Sequence, residues 1–308
     1  MPPALNRTMN PLEWGLLLTL ALLWGGSYFY NAIAVQALPP LTIVTVRVSG
    51  GAILLYALVR GTGRRMPSDP AIWLAFFIMG LLNTVIPFNL IAWAQSHVAS
   101  GPAAILNATT PLFAVVFANY LTADEHMTMA RLGGVIIGFV GAVVMIGPDA
   151  LEGLSVHVVA ELGLLLASIA YALSPIYARR FARAGVSPMV AAAGQFIAAS
   201  ATMIPLTLVV DRPWTLAMPG PGVWAALFAL AALSTALAYV IYYRILSTAG
   251  AVNLMLVTFL VPVSAILLGT LFLNEQLGLN HLAGMTLIGL GLAAIDGRPL
   301  RVLRRRIA

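Results

Sequence analysis

The chain contains no cysteine and no lysine, and only 8% of its 308 residues are charged. Without cysteine there are no disulfide staples and no thiolate metal sites. Soluble globular domains carry about 25% charged residues, so this chain cannot cover a water-facing surface. Also missing are a G-x-S-x-G elbow and an H-E-x-x-H motif, two common signatures of catalysis. No catalytic residue, metal site or cofactor is expected. The formal charge of +6 comes from arginine alone. Arginines that flank membrane helices explain it better than a nucleic-acid partner does.

What the chain has is apolar length. It is 61% hydrophobic, and runs of about 20 residues, enough to cross a bilayer, recur from end to end. The first, from Trp14 to about Val35, follows only Arg7 and is too long for a signal peptide's apolar region of about 7–15 residues. Hydropathy and turn signals give ten spans, near 13–35, 40–60, 71–94, 101–121, 128–147, 158–181, 187–210, 221–246, 250–273 and 280–297. The expected fold class is an all-α integral membrane protein. With both termini in the cytoplasm, every arginine except Arg47 and Arg212 falls in an inner loop or tail. That asymmetry is the positive-inside pattern, and it supports the span count.

The chain also repeats itself. Residues 100–141 resemble residues 251–292, and an offset of 151 pairs Pro111 with Pro262, Asp124 with Glu275, Gly133 with Gly284 and Gly138 with Gly289. The reading is two five-helix halves, 10–148 and 155–298, with a basic tail at 299–308. Five is odd, so the second half enters the membrane inverted. Inverted repeats are characteristic of secondary transporters.

Several motifs now resemble the EamA-type drug/metabolite transporter family. They are "WGGSYF" (24–29), "TIVTVRVSGGAILL" (42–55), "ILNATTPLFAVVFANYLTADE" (105–125) and "VTFLVPVSAILLGTLFLNE" (257–275). Within the family the chain looks most like YddG-type amino-acid exporters. The resemblance implies a ten-helix basket with a central cavity, exporting aromatic and other neutral amino acids. One departure is that Asp124-Glu125 stands where the second half has Asn274-Glu275. Cargo of another kind on the same fold (purines, sugars or drugs) is the alternative. The expected partners are a small-molecule substrate and the lipid bilayer. Nucleic acid is not among them, and the protein is expected to act as a monomer in a bacterial inner membrane.

The cavity candidates are polar or aromatic residues near mid-span: Trp24, Tyr28, Asn83, Asn89, Trp93, Asn107, Tyr171, Thr235 and Tyr239. Trp24 and Tyr28 are four apart and share a helix face. They can form an aromatic wall with Trp93, Tyr171 and Tyr239. An amide in hydrocarbon needs a partner, so the asparagines either bind cargo or bond across helices. Arg47, inside the second span, has three open readings: a fork for a cargo carboxylate, a side chain that snorkels outward, or a cap on the carbonyls of a broken helix. The glycines of 133–147 and 284–297 read as packing faces within the fold rather than a dimer seam.

No carboxylate or histidine falls at mid-membrane, where proton relays and cation sites usually place one. Transport driven by the substrate gradient is therefore expected, with proton-coupled export as the alternative. Asp124, Glu125 and Glu275 precede helices and read as acids that meet positive helix starts.

Pro111 and Pro262 each free the carbonyl four residues earlier, on Asn107 and Thr258. Their symmetry marks them as candidate hinges, whereas Pro87, Pro175 and Pro205 read as ordinary kinks. Pro111→Ala and Pro262→Ala should each slow transport by more than they lower folded yield. Loss of folded protein with normal activity per molecule would rule hinges out.

Overall fold

The structure, a computed structural model, describes residues 9–122, 127–147 and 155–296. It is helical, with no strand among the described residues. The helices are α1 (Pro11–Ala34), α2 (Pro40–Gly61), α3 (Pro70–Ala94), α4 (Ser100–Leu121), α5 (Met129–Ile146), α6 (Val156–Arg183), α7 (Pro188–Val210) and α8 (Pro221–Thr248). α9 follows in two pieces, Gly250–Leu254 and Val257–Phe272, and α10 is Leu279–Asp296. The first 8 are long and apolar enough to cross a membrane, while Val257–Phe272 and Leu279–Ile295 are shorter apolar helices. Each span read from the sequence falls on one of these helices. Asp124, Glu125 and the basic tail at 299–308 lie outside the described residues.

Helix starts explain much of the local sequence. The first turn of a helix leaves amide groups without partners. Asn10 and Glu13 cap α1 reciprocally, and Asp69, Thr128, Ser155 and Ser187 cap α3, α5, α6 and α7. α2 and α4 begin after Pro39 and Ala99, whose side chains make no cap bond. Their caps come from elsewhere in the chain. Asp211, at the end of α7, accepts from the Thr42 amide (2.8 Å) and the Thr42 hydroxyl (2.7 Å). Glu275, after α9, accepts from the Ser100 amide (2.9 Å) and the Gly101 amide (3.3 Å). The sequence reading put Glu275 at the start of the helix that follows it, but the structure puts it on the start of α4.

Two helices change pitch midway without breaking. α3 contains a π-turn at Leu81–Val85, and α8 contains one at Ala232–Leu237. α4 does break: Ser100–Asn107 ends, and Thr110–Leu121 starts again with Pro111 in its first turn. The Asn107 carbonyl released there accepts from the Thr110 hydroxyl (2.7 Å) and the Ser168 hydroxyl (3.4 Å). Pro262 instead sits inside the continuous helix Val257–Phe272. The two prolines therefore differ in local geometry although their sequence positions match.

The helices pair closely. α2 lies against α7, α5 against α10, α1 against α8 and α9, and α6 against α3 and α4. Side chains that face outward are apolar, as with Phe228 at 71% exposure and Ile53 at 69%. Many buried ones are polar, among them Asn31, Arg47, Thr84, Gln195 and Thr235. This distribution suits a lipid solvent. Gly25 lets α1 meet the α9 backbone, since a Cβ there would lie 2.8 Å from the Val261 carbonyl oxygen.

The glycine stripes of α5 and α10 pack on each other within the chain. A Cβ on Gly141 would lie 2.8 Å from the Gly284 carbonyl oxygen, whereas one on Gly133 would meet nothing within 4 Å. Gly141→Leu should therefore cost about 1–3 kcal/mol or more through overpacking, while Gly133→Leu should be nearly neutral. Thermal unfolding of both variants in detergent checks this, and equal losses would mean that the stripe does not set the packing.

Candidate functional site

A polar cluster occupies the centre, where α2, α3, α6, α7 and α8 meet. Both π-turns feed it. π-turns inside α-helices are often found at functional sites, and here each turn carries a polar residue. Asn83 lies in the α3 turn and Thr235 in the α8 turn.

The Asn83 amide donates to the Tyr239 hydroxyl (2.8 Å) and to the Gln195 side-chain oxygen (3.3 Å). Its own oxygen accepts from the Ser174 hydroxyl (3.1 Å). Gln195 also donates to the Tyr239 hydroxyl (3.4 Å). Arg47 is buried at 6% exposure and donates through Nε to Thr235 (3.2 Å). Its guanidinium carbon stands 3.8 Å from the centroid of the Phe88 ring. Tyr28, Tyr171 and Tyr239 surround it closely enough to interact electrostatically. Arg47 thus touches one π-turn directly and a residue just past the other.

The structure brings Tyr28, Arg47, Asn83, Asn107, Tyr171, Thr235 and Tyr239 into this neighbourhood, with Asn107 joined to it through the Tyr28 side chain. The other candidates lie apart. Trp24 packs on Tyr242 (5.7 Å between ring centroids), and Tyr242 in turn meets Tyr239 (6.2 Å). Trp93 lies edge-on to His97 (5.5 Å) and beside Gly163. Asn89 turns back to donate to the Val85 carbonyl (2.7 Å), the last residue of the α3 π-turn, and reaches the Met203 sulfur (3.2 Å). Of the two prolines, Pro111 adjoins the Asn107 break, and Pro262 lies buried in α9.

Sequence reasoning missed Gln195, Ser174 and Phe88. Gln195 had a signal: it is an amide midway along an otherwise apolar span. Ser174 and Phe88 had none, since a serine before a proline and a phenylalanine in a membrane helix are both ordinary.

The model of the EamA-like transporter family matches residues 13–147 and again 158–295. This chain belongs to that family. Two of three relatives are named as transporters. The uncharacterized transporter YoaV of Bacillus subtilis is 22% identical, over 90% of this chain and 94% of that protein. The uncharacterized inner membrane transporter YedA of Escherichia coli (strain K12) is 27% identical, over 86% and 83%. The protein PecM of Dickeya dadantii is 23% identical, over 92% of each. A solved crystal structure shares the fold at a TM-score of 0.66 and 20% identity, covering 94% of this chain and 98% of that one. The EamA chain described here is accordingly a multi-pass membrane protein of a transporter family.

Removal of the Asn83 side chain would take one hydrogen-bond partner from a residue on each of three other helices. Asn83→Ala should cost about 1–3 kcal/mol, and the Asn83→Ala/Tyr239→Phe double variant should lose less than the sum of the single losses. Unfolding midpoints of the three variants measure this. Strict additivity would mean that the network does not act as a unit.

Proposed function

We propose that this EamA protein exports amino acids, aromatic and other neutral ones, across a bacterial inner membrane by alternating access of two inverted five-helix halves. The observation that carries the reading is the position of the π-turns. They begin at Leu81 and Ala232, 151 positions apart, which is the offset of the repeated motifs. Equivalent changes of pitch in the two halves therefore meet at one polar cluster, where Asn83 in one turn bonds Tyr239, two positions past the other. Cargo sites of transporters with inverted repeats lie at such an interface, beside discontinuous helices.

The helix pairings support the same reading. Exchange of the halves turns the α1 contacts with α8 and α9 into the α6 contacts with α3 and α4, and it leaves α2–α7 and α5–α10 as they are. The family model matching once in each half agrees with it. Amino-acid cargo suits a centre built of amides, phenols and one guanidinium. Both termini are placed in the cytoplasm on the arginine asymmetry. The carboxylates Glu13, Asp69, Asp211 and Glu275 are engaged at helix starts, Glu161 lies in the first two turns of α6 and Asp296 is the last residue of α10, so none of these falls at mid-span and the substrate gradient is proposed as the driving force.

The test is counterflow in proteoliposomes loaded with unlabelled phenylalanine. A carrier should accumulate labelled phenylalanine transiently, and trans substrate should speed exchange. A proton ionophore should leave that exchange unchanged. Absence of trans acceleration would overturn the carrier, failure of every amino acid to compete would overturn the cargo, and proton flux tied to substrate would overturn the driving force.

A further inference from the structure

Arg47 is a buried cation with no acid partner among the described residues. Its Nε is used on Thr235 and one face is used on Phe88. The two terminal amino groups, Nη1 and Nη2, make no hydrogen bond to a described residue. They are not sealed either. The sealed polar side-chain atoms without a partner among the described residues are Ser49 Oγ, Thr84 Oγ1, Asn89 Oδ1 and Gln95 Oε1. The fork of Arg47 thus keeps some accessible surface on its terminal edge although the residue is buried.

Two neighbouring phenols also hold protons that no described residue accepts. The Tyr239 oxygen accepts from Asn83 and Gln195, which leaves its own proton to donate. The Tyr171 hydroxyl has no hydrogen-bond partner among the described residues, and it too is absent from the sealed atoms. Both rings pack on the same buried cluster as Phe88, the ring that lies against Arg47. The centre therefore gathers several strong donors and leaves them without acceptors. An arginine that only tied α2 to α8 would need the Nε bond and the ring contact, and would gain nothing from an unmatched fork.

Resting on the reading of this centre as the cargo path, we infer that Arg47, with the Tyr171 and Tyr239 hydroxyls, forms a carboxylate-binding site, so that the cargo is a small molecule bearing a carboxylate. A guanidinium fork matches the two oxygens of a carboxylate in one plane. Phe88 holds the plane, and Thr235 fixes its rotation. The tyrosine rings offer apolar faces to the remainder of the molecule. A fixed cation also repels organic amines and metal cations. An amide offers the fork one neutral acceptor in place of two charged ones and an ammonium offers none, and a site built to hydrogen-bond a group discriminates against the analogue that lacks it.

The experiment uses the purified full chain in detergent and reads its unfolding midpoint against four probes: phenylalanine, phenylacetate, phenylalaninamide and phenylacetamide. In the native chain the two carboxylates should raise the midpoint, at concentrations at least about tenfold below those at which the amides do. Arg47→Gln should weaken the carboxylates by about tenfold or more and erase their preference over the amides. Tyr171→Phe keeps the charge and removes one donor, so it should weaken the carboxylates by a smaller factor and keep the preference.

Equal response to carboxylates and amides, no response to carboxylates, or native affinity in either variant overturns the site. Should Arg47→Gln yield no folded protein, Tyr171→Phe decides alone, with native affinity overturning the donor array. Binding of carboxylates without counterflow of any amino acid would sink the amino-acid reading and leave the site standing.

Discussion

Inside a bilayer a backbone carbonyl or amide has no water to fall back on, and that constraint shapes this protein. At two places where a helix departs from regular geometry, a side chain is on hand. Asn89 serves the carbonyl of Val85 at the end of the α3 π-turn. Thr110 and Ser168 serve the Asn107 carbonyl at the break in α4. Asp211 and Glu275 serve helix starts whose own flanking residues cannot. The polar residues of the interior are therefore of two kinds. Some repair the backbone, and some face one another across the central cluster.

The distinction sharpens the candidate site. Asn89 is engaged by its own helix. Asn83, Gln195, Ser174 and Tyr239 bond between helices, and in doing so they fix the level at which α3, α6, α7 and α8 meet. Arg47 differs from both kinds, because only part of its bonding capacity is used. A guanidinium is among the most expensive groups to hold at mid-membrane. Its retention with a free edge is more informative than any aromatic residue nearby, since aromatic rings pack well in an apolar core for reasons unrelated to cargo.

The spans were legible because a membrane helix needs a long apolar run and a short polar connection, and both leave plain marks in composition. Pro188 and Pro221 mark helix starts as clearly as hydropathy does. The π-turns were not legible. Neither Leu81–Val85 nor Ala232–Leu237 contains a proline or glycine, so nothing within the turns themselves marks the change of pitch. The site was half legible for the same reason. Arg47, Asn83 and Thr235 stood out as polar residues in apolar runs, whereas the choice of Trp24, Trp93 and Asn89 as neighbours required knowing which face each helix turns inward. Glu275 was recognised as a helix-start acid, but the helix it serves is 175 positions earlier, a distance that local sequence cannot bridge.

The borrowed caps have an energetic consequence. Asp211 and Glu275 belong to the second half of the sequence, while the helices they cap, α2 and α4, belong to the first. Any motion that parts those elements uncaps two helix starts together. A lost cap costs about 1 kcal/mol, so the pair biases the population by roughly a factor of 30 toward the joined arrangement, at about 1.4 kcal/mol per tenfold. A contribution of that size is small enough for the differential binding of a ligand to offset.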